Sequence, residues 1–162
     1  MISRIHLNIG SNSGDSRAFI ARAVAALHSA FAGDIRVSRE VVSEPWGFVS
    51  ANNFINVGVM ITVHRAEPWM PAELDLLLAD VKSIEKSISA MPHRDASGAY
   101  ADREIDIDII AVDNICHTSA LLAIPHPLMA KREFVLGPLA ELAPDWRHPQ
   151  TALTAAEMLG RL

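Results

Sequence analysis

The octapeptide Arg103-Glu104-Ile105-Asp106-Ile107-Asp108-Ile109-Ile110 alternates acid and isoleucine with period two. In a strand, residues two apart share a face, so Asp106 and Asp108 project together while Ile105, Ile107 and Ile109 turn into a core. Their Cα atoms then stand roughly 6.5–7 Å apart. Two carboxylates at that spacing repel unless a cation joins them, and hard paired oxygens suit Mg²⁺ carrying substrate phosphates. A solvated acidic strand face is the plainer account of an isolated D-x-D, and Glu104, of the same parity, serves either one. Arg103 precedes the strand, and Arg132 follows the stiff turn Pro125-His126-Pro127. Arginines around a metal-binding pair are what phosphoryl transfer requires as charge redistributes over phosphate oxygens. His126, set between prolines, can meet a phosphate or a ribose, or hold only the loop.

Phe54 and Asn56 share parity at the start of a strand and offer an aromatic plate beside an amide. That pairing can stack on a flat heterocycle and read its edge; a core aromatic is the ordinary alternative. Gly10-Ser11-Asn12 after the first strand has the look of a phosphate-cradling turn. It lacks the Walker lysine and the full glycine spacing, and a strand-to-helix turn with a Ser or Asp cap is the favoured account.

These residues need a scaffold. Ile5, Leu7 and Ile9 alternate with Arg4, His6 and Asn8, which predicts a first strand. An alanine-rich helix follows over 16–31, then strands over 35–42 and 54–63, rich in β-branched residues. Pro71 opens a second helix with the stripe Leu74, Leu77, Leu78, Val81, Ile84 and Ile88. The strand 105–112 comes next, and Thr154-Ala155-Ala156-Glu157 has capping-box spacing for a short terminal helix. The order βαββαβ predicts an α+β, ferredoxin-like antiparallel sheet with helices on one face, plus a C-terminal extension of about fifty residues. Two irregular stretches, 43–53 and 89–103, are long for connections in a compact domain and read as functional loops.

Length and composition set the frame. The 162 residues suit a single domain, residues 1–162, able to bury roughly 70% of its unfolded surface. Half the residues are hydrophobic and the net charge is -5, which argues against non-specific nucleic-acid binding. A lone cysteine, Cys116, forbids an intrachain disulfide and suits a reducing cytoplasm. The N-terminus lacks a signal-peptide core, no window approaches a membrane span, and nothing calls for an obligatory protein partner.

Taken in order, the segments resemble the 6-hydroxymethyl-7,8-dihydropterin pyrophosphokinase family of folate biosynthesis. The resemblance runs through Ile9-Gly10-Ser11-Asn12, Ser43-Glu44-Pro45-Trp46-Gly47-Phe48, Phe54-Ile55-Asn56 and Ile84-Glu85. It continues through Arg103–Asp108, Ile124-Pro125-His126-Pro127, Arg132-Glu133-Phe134-Val135-Leu136 and Pro138–Pro144. It implies the ferredoxin-like fold and transfer of the β,γ-pyrophosphoryl group of ATP to the hydroxymethyl oxygen of a dihydropterin, releasing AMP. It also implies two Mg²⁺ ions held by Asp106 and Asp108. Arg103 and Arg132 then hold the triphosphate, and His126 contacts the nucleotide. Glu85 and Ile109 fall at nucleotide-site positions. Phe54 and Phe134 sandwich the pterin, Asn56 reads its edge, and Ser43, Glu44 and Trp46 line its pocket. Tyr100 stands where some members place a tryptophan over the substrates.

Departures gather in the lid. Ser89 and Ala90 stand where the family usually has Gly-Arg, and Leu121 where some members carry an arginine. The resemblance then implies slower turnover or a different closure, with His93 and Arg94 as the available replacements. A non-catalytic pterin- or nucleotide-binding module is the competing expectation from another class; it predicts binding without product. A protein–protein module would leave Phe54 and Asn56 without a ligand.

Overall fold

The computed structural model describes residues 1–162. Strand β1 spans Ile2–Ser11 and leads into helix α1, Ser16–Ala30, which Asp15 caps by accepting the Ala18 N–H. Strands β2, Gly33–Val37, and β3, Val41–Ser43, precede the long β4, Phe54–His64. Helix α2 runs Pro71–Ile88, with proline at its first turn and Glu73 accepting the Met70 N–H. Strand β5 is Asp106–Val112, and a two-stranded ribbon, β6 His117–Thr118 with β7 Ala123–Ile124, follows. Helices α3, Glu133–Leu142, and α4, Ala155–Leu159, end the chain; Thr154 and Glu157 form the expected capping box on α4.

The main sheet is antiparallel with order β2-β4-β1-β5, and β3 extends the β4 edge beyond β2. The strand expected over 35–42 is therefore two strands. Residues 38–40 fall between them: the Ser38 N–H still donates to Gly58 O at 2.9 Å, but the Gly58 N–H donates to the Ser38 hydroxyl at 2.8 Å rather than to a backbone carbonyl. The alternation Ile35, Val37, Val41 continues through this break, so periodicity alone does not reveal it.

Ile5, Leu7, Ile9, Val57, Val59, Ile61, Ile105, Ile107 and Ile109 meet α1 and α2 in one core. Those two helices lie on one face, as the βαββαβ order predicts. The extension covers part of the opposite face, where Met60, Ala111, Val135, Leu136, Leu139 and Met158 form a second core. Each of these valine, leucine and methionine side chains, withdrawn from water, contributes about 1.5–3 kcal/mol. Under this layer His6 is buried with both ring nitrogens unpartnered, and burial lowers its pKa to about 4, so the ring stays neutral.

Gly58 is the contact that lets α3 approach. A Cβ there would come within 2.6 Å of Pro138 Cβ. Gly58→Ala is expected to cost about 1–3 kcal/mol of stability, read as a shift in urea midpoint, by forcing α3 off the sheet. An unchanged midpoint would mean α3 is not seated as described.

Candidate active site

The extension covers only half of that second face. Register shows what the uncovered half carries. Gly10 of β1 stands opposite Asn56 of β4 on one side and Asp106 of β5 on the other. Asn8 likewise stands between Gly58 and Asp108. Directly paired residues share a face, so Asn56, Gly10 and Asp106 form one row across the sheet and Gly58, Asn8 and Asp108 the next. With neighbouring strands about 4.8 Å apart, the amide and the carboxylate of the first row are about 10 Å apart across Gly10. Glycine matters here: a Cβ would stand 3.0 Å from Asn56 Oδ1 and 3.4 Å from the Phe54 ring. Gly10, near the end of β1, is thus the part of the Gly10-Ser11-Asn12 segment that lines the cleft, while Ser11 and Asn12 are bonded to Ser16 and to the two long loops and do not cradle a phosphate.

The cleft is open to solvent and combines aromatic, amide, arginine and carboxylate side chains, the mixture of apolar walls and a few convergent polar groups that small-molecule sites use. Ser43, Glu44, Trp46, Phe48, Phe54, Asn56, Tyr100 and Phe134 line one end, and Arg103, Asp106, Asp108 and Arg132 the other. Asn56 donates one amide hydrogen to Val41 O (3.1 Å) and the other to Ser43 Oγ (2.8 Å). With both donors engaged, its Oδ1 is left to accept from a ligand N–H. Phe54 is held edge-on by Phe48, ring centroids 6.3 Å apart.

The aspartates behave as the alternation predicts: 105, 107 and 109 are buried while 104, 106 and 108 are half-buried. Arg103 Nη1 donates to Asp106 Oδ2 at 2.7 Å, and Arg132 Nη1 lies 3.7 Å from Asp108 Oδ2. Of the pair's four carboxylate oxygens, only Asp106 Oδ2 accepts a hydrogen bond. Burial, and then the Asp106 charge, push the Asp108 carboxyl well above the usual range. Under-bonded, mutually repelling hard oxygens fit a divalent cation, so the pair passes the test for a magnesium site. Glu104 does not join them; it accepts the Ser89 hydroxyl.

Arg132 is placed by α3, whose N-terminus it precedes. Its guanidinium carbon lies 4.7 Å from the Trp46 ring centroid and 5.7 Å from that of Phe134, and its Nε is buried without a partner. His126 is fixed by its own N–H donating to Ile110 O (2.8 Å) and by Nδ1 accepting the Leu128 N–H (3.1 Å). The proton of the neutral ring is therefore on Nε2, which is free to donate. Burial, and then the neighbouring Arg132, lower the His126 pKa to about 4.

Glu85 continues the buried α2 row of Leu77 and Val81 by one more turn. Its Oε2 accepts the Ile107 N–H (2.7 Å) and Lys82 Nζ (3.0 Å), so it is anchored to β5 rather than open. The Ile109 side chain lies in the main core; a nucleotide could meet that residue through its backbone alone.

In the lid, Tyr100 sits over the cleft, 5.5 Å from Arg103 Cζ. Arg94 does not replace a missing lid arginine in this arrangement. Its Nη1 donates to Gly98 O (2.7 Å) and its guanidinium stacks on Tyr100 at 4.2 Å. His93 does reach the site, with Nε2 3.4 Å from Glu85 Oε1 and Nδ1 3.6 Å from Asp106 Oδ1. Leu121 is 71% exposed on the β6–β7 turn.

Asn8 and Lys82 escaped the sequence reading, and Asn12 was read only as part of a turn. Asn8 lines the cleft with its Oδ1 buried and unpaired; its place in the polar parity of β1 was the available signal. Asn12 accepts the Arg103 N–H on Oδ1 and donates Nδ2 to Asn52 O and Asp102 Oδ1. It thereby ties both long loops to β1, through contacts some 40 and 90 residues away that no local pattern discloses. Lys82 lies between α2 and β5, on a helix face that reads as solvent.

Residues 6–144 match the family model described as 7,8-dihydro-6-hydroxymethylpterin-pyrophosphokinase (HPPK). Curated proteins named 2-amino-4-hydroxy-6-hydroxymethyldihydropteridine pyrophosphokinase are similar along most of their length. The one from Aquifex aeolicus is 32% identical over 148 residues, covering 91% of this chain and 85% of that protein. The one from Porphyromonas gingivalis is 34% identical, covering 90% and 94%. Among solved structures, an HPPK-DHPS in complex with substrates superposes with TM-score 0.69 at 15% identity, over 98% of this chain and 43% of that one. The HPPK-DHPS of Plasmodium falciparum gives TM-score 0.68 at 14% identity, over 99% and 45%. The chain spans less than half the length of these two structures, and at such identity they speak for the fold alone.

Proposed function

The chain belongs to the 7,8-dihydro-6-hydroxymethylpterin-pyrophosphokinase family, and from that premise we infer which of its residues carry the reaction. The enzyme transfers the pyrophosphoryl group of ATP to the hydroxymethyl group of 6-hydroxymethyl-7,8-dihydropterin, a step in folate biosynthesis. A bond forms between the hydroxymethyl oxygen and the β-phosphorus. The bond from that phosphorus to the α,β-bridging oxygen breaks, AMP leaves with the bridging oxygen, and the hydroxyl proton is lost.

The observation that carries the assignment is the row Asn56–Gly10–Asp106. It joins an aromatic pocket with a free amide acceptor to the carboxylate pair at about one ring-system's reach. The pterin lies between Phe54 and Phe134, with Asn56 Oδ1 accepting from its N–H edge and Ser43, Glu44 and Trp46 bounding it. Its hydroxymethyl arm then extends over Gly10 towards Asp106 and Asp108. Those two residues would hold two Mg²⁺ ions, which when bound neutralise the triphosphate and polarise it for in-line transfer. Arg103 and Arg132 set their guanidinium groups on the phosphates, and His126 donates from Nε2. Glu85 braces the nucleotide side from α2, the Ile109 backbone lies along the same edge, and Tyr100 covers the cleft. We take residues 1–162 as one pyrophosphokinase domain acting on these two small molecules, with no nucleic-acid, membrane or obligatory protein partner, in the cytoplasm. No helix is long and apolar enough to cross a membrane.

The test is AMP release from MgATP on adding 6-hydroxymethyl-7,8-dihydropterin. AMP formed in step with pterin diphosphate is the expected result. Pterin and nucleotide binding by calorimetry with no AMP, across a range of Mg²⁺, would instead select the binding-module reading raised by Ala90 and Leu121.

A further inference from the structure

We propose that Lys82 is a catalytic residue of this enzyme, its ammonium contacting the α-phosphate that departs as AMP. The two oxygens of Asp106 divide the site. Oδ2 faces the aromatic cleft and takes the Arg103 hydrogen bond. Oδ1 faces outward, 3.9 Å from Lys82 Nζ and 3.6 Å from His93 Nδ1, and neither Lys82, Glu85 nor His93 lines the aromatic cleft. This inference rests on the reading above: with the pterin in the cleft and the transferring group over Asp106 and Asp108, the nucleotide's α-phosphate lies on the outer side. Lys82 is the fixed cation in contact with that side of Asp106.

Its donors are arranged for such a task. An ammonium has three. One goes to Glu85 Oε2 (3.0 Å) and one to Ile107 O (2.9 Å), which pins the group to both α2 and the β5 edge. The third has no acceptor, since Asp106 Oδ1 is beyond hydrogen-bond reach. The side chain remains 37% exposed, so a ligand can reach it. Other cations of that region are committed or neutral: Arg94 is bonded within the lid, and His126 is neutral near pH 7. Positions 90 and 121 are alanine and leucine.

The chemistry needs a cation there. When the β-phosphorus to bridging-oxygen bond breaks, its electron pair stays on the oxygen that AMP carries away. A preorganised ammonium beside that phosphate lowers the barrier without reorganising.

The experiment compares full-length wild type, Lys82→Met, Lys82→Gln and Lys82→Arg under saturating Mg²⁺, with AMP and pterin affinities measured by calorimetry. Lys82→Met and Lys82→Gln are expected to lose about 10- to 100-fold in kcat and about 10-fold in AMP affinity, with pterin affinity unchanged and Lys82→Arg restoring most of both. Lys82→Gln keeps a donor for Ile107 O, so it reports on charge even if Lys82→Met fails to fold. A kcat loss paired with unchanged AMP affinity, or with pterin affinity and Tm falling together, would reduce Lys82 to a brace for Glu85 and β5 and overturn the proposal. So would an unchanged kcat. If wild type itself released no AMP, the reaction assignment would fall, while the AMP affinities would still decide whether Lys82 meets a nucleotide phosphate.

Discussion

Asp108→Ala is expected to release AMP at least about a thousandfold more slowly than wild type while melting at the same temperature or higher. The two halves of that result have one cause. Asp106 and Asp108 project from one face of β5 with a single hydrogen bond between them, and burial and repulsion already hold the Asp108 carboxyl above its usual range. The fold gains little from the second carboxylate and bears its repulsion, so deleting it relieves the free protein. The catalytic loss is large because a site built for a doubly charged ion keeps half its protein ligands, and the phosphates lose the charge that offsets their own. The Asp108→Asn variant should behave alike, since shape without charge does not hold the ion. Glu104→Gln is the control: it shares the parity of the pair but is bonded to Ser89 and lies outside the cleft, and its turnover should stay within a few-fold. Single-turnover AMP release, thermal melts and a Mg²⁺ titration read all three. Wild-type-like turnover in Asp108→Ala would remove the metal role from this residue, and a collapsed melting temperature would mean the carboxylate is structural.

What was legible in the chain follows the range of the interactions involved. The period-two isoleucines of 105–109 announce a strand whose odd residues are buried, and that alone places Asp106 beside Asp108. The α2 stripe reads on from Val81 to Ile84 and Ile88, so Glu85 is legible only through the family resemblance, and nothing local tells that it is buried and bonded to the Ile107 N–H. By contrast, Gly10 reads locally as a turn glycine. Its real constraint is the close approach of Asn56 and Phe54, which register across two strands decides. Helix α3 is hidden for a related reason. Its sequence Glu133–Leu142 contains Gly137 and Pro138, which argue against a helix on propensity. Packing of Pro138 onto Gly58, with Val135, Leu136, Leu139 and Leu142 buried in the second core, overrides that. The lid could be flagged for the arginine it lacks, yet where its other basic side chains go is decided by Tyr100, which holds Arg94 within the lid, and by Glu85 on α2, which His93 approaches.

Arg132→Ala is expected to lower kcat/KM by about 10²- to 10³-fold, in a way that separates it from a plain phosphate contact. Its guanidinium stands at the junction of the two substrates, between the Trp46 and Phe134 rings of the pterin pocket and 3.7 Å from Asp108. A point charge would serve the phosphates. The planar group also lies against the Trp46 and Phe134 rings of the pterin pocket and helps to position them, a contact that lysine cannot reproduce. Arg132→Lys should therefore recover part of the nucleotide affinity but little of the pterin affinity, and Arg132→Ala should lose both. The buried, unpartnered Nε sharpens this: an N–H withdrawn from water and left unpaired costs the free protein about 1–3 kcal/mol. Arg132→Met, of similar reach and without that donor, should then match or exceed wild-type thermal stability despite its inactivity. Separate titrations of the pterin and of a non-hydrolysable ATP analogue, alongside melts, measure each part. If Arg132→Lys retained full pterin affinity, the guanidinium would be acting on phosphate alone and the junction role would fall.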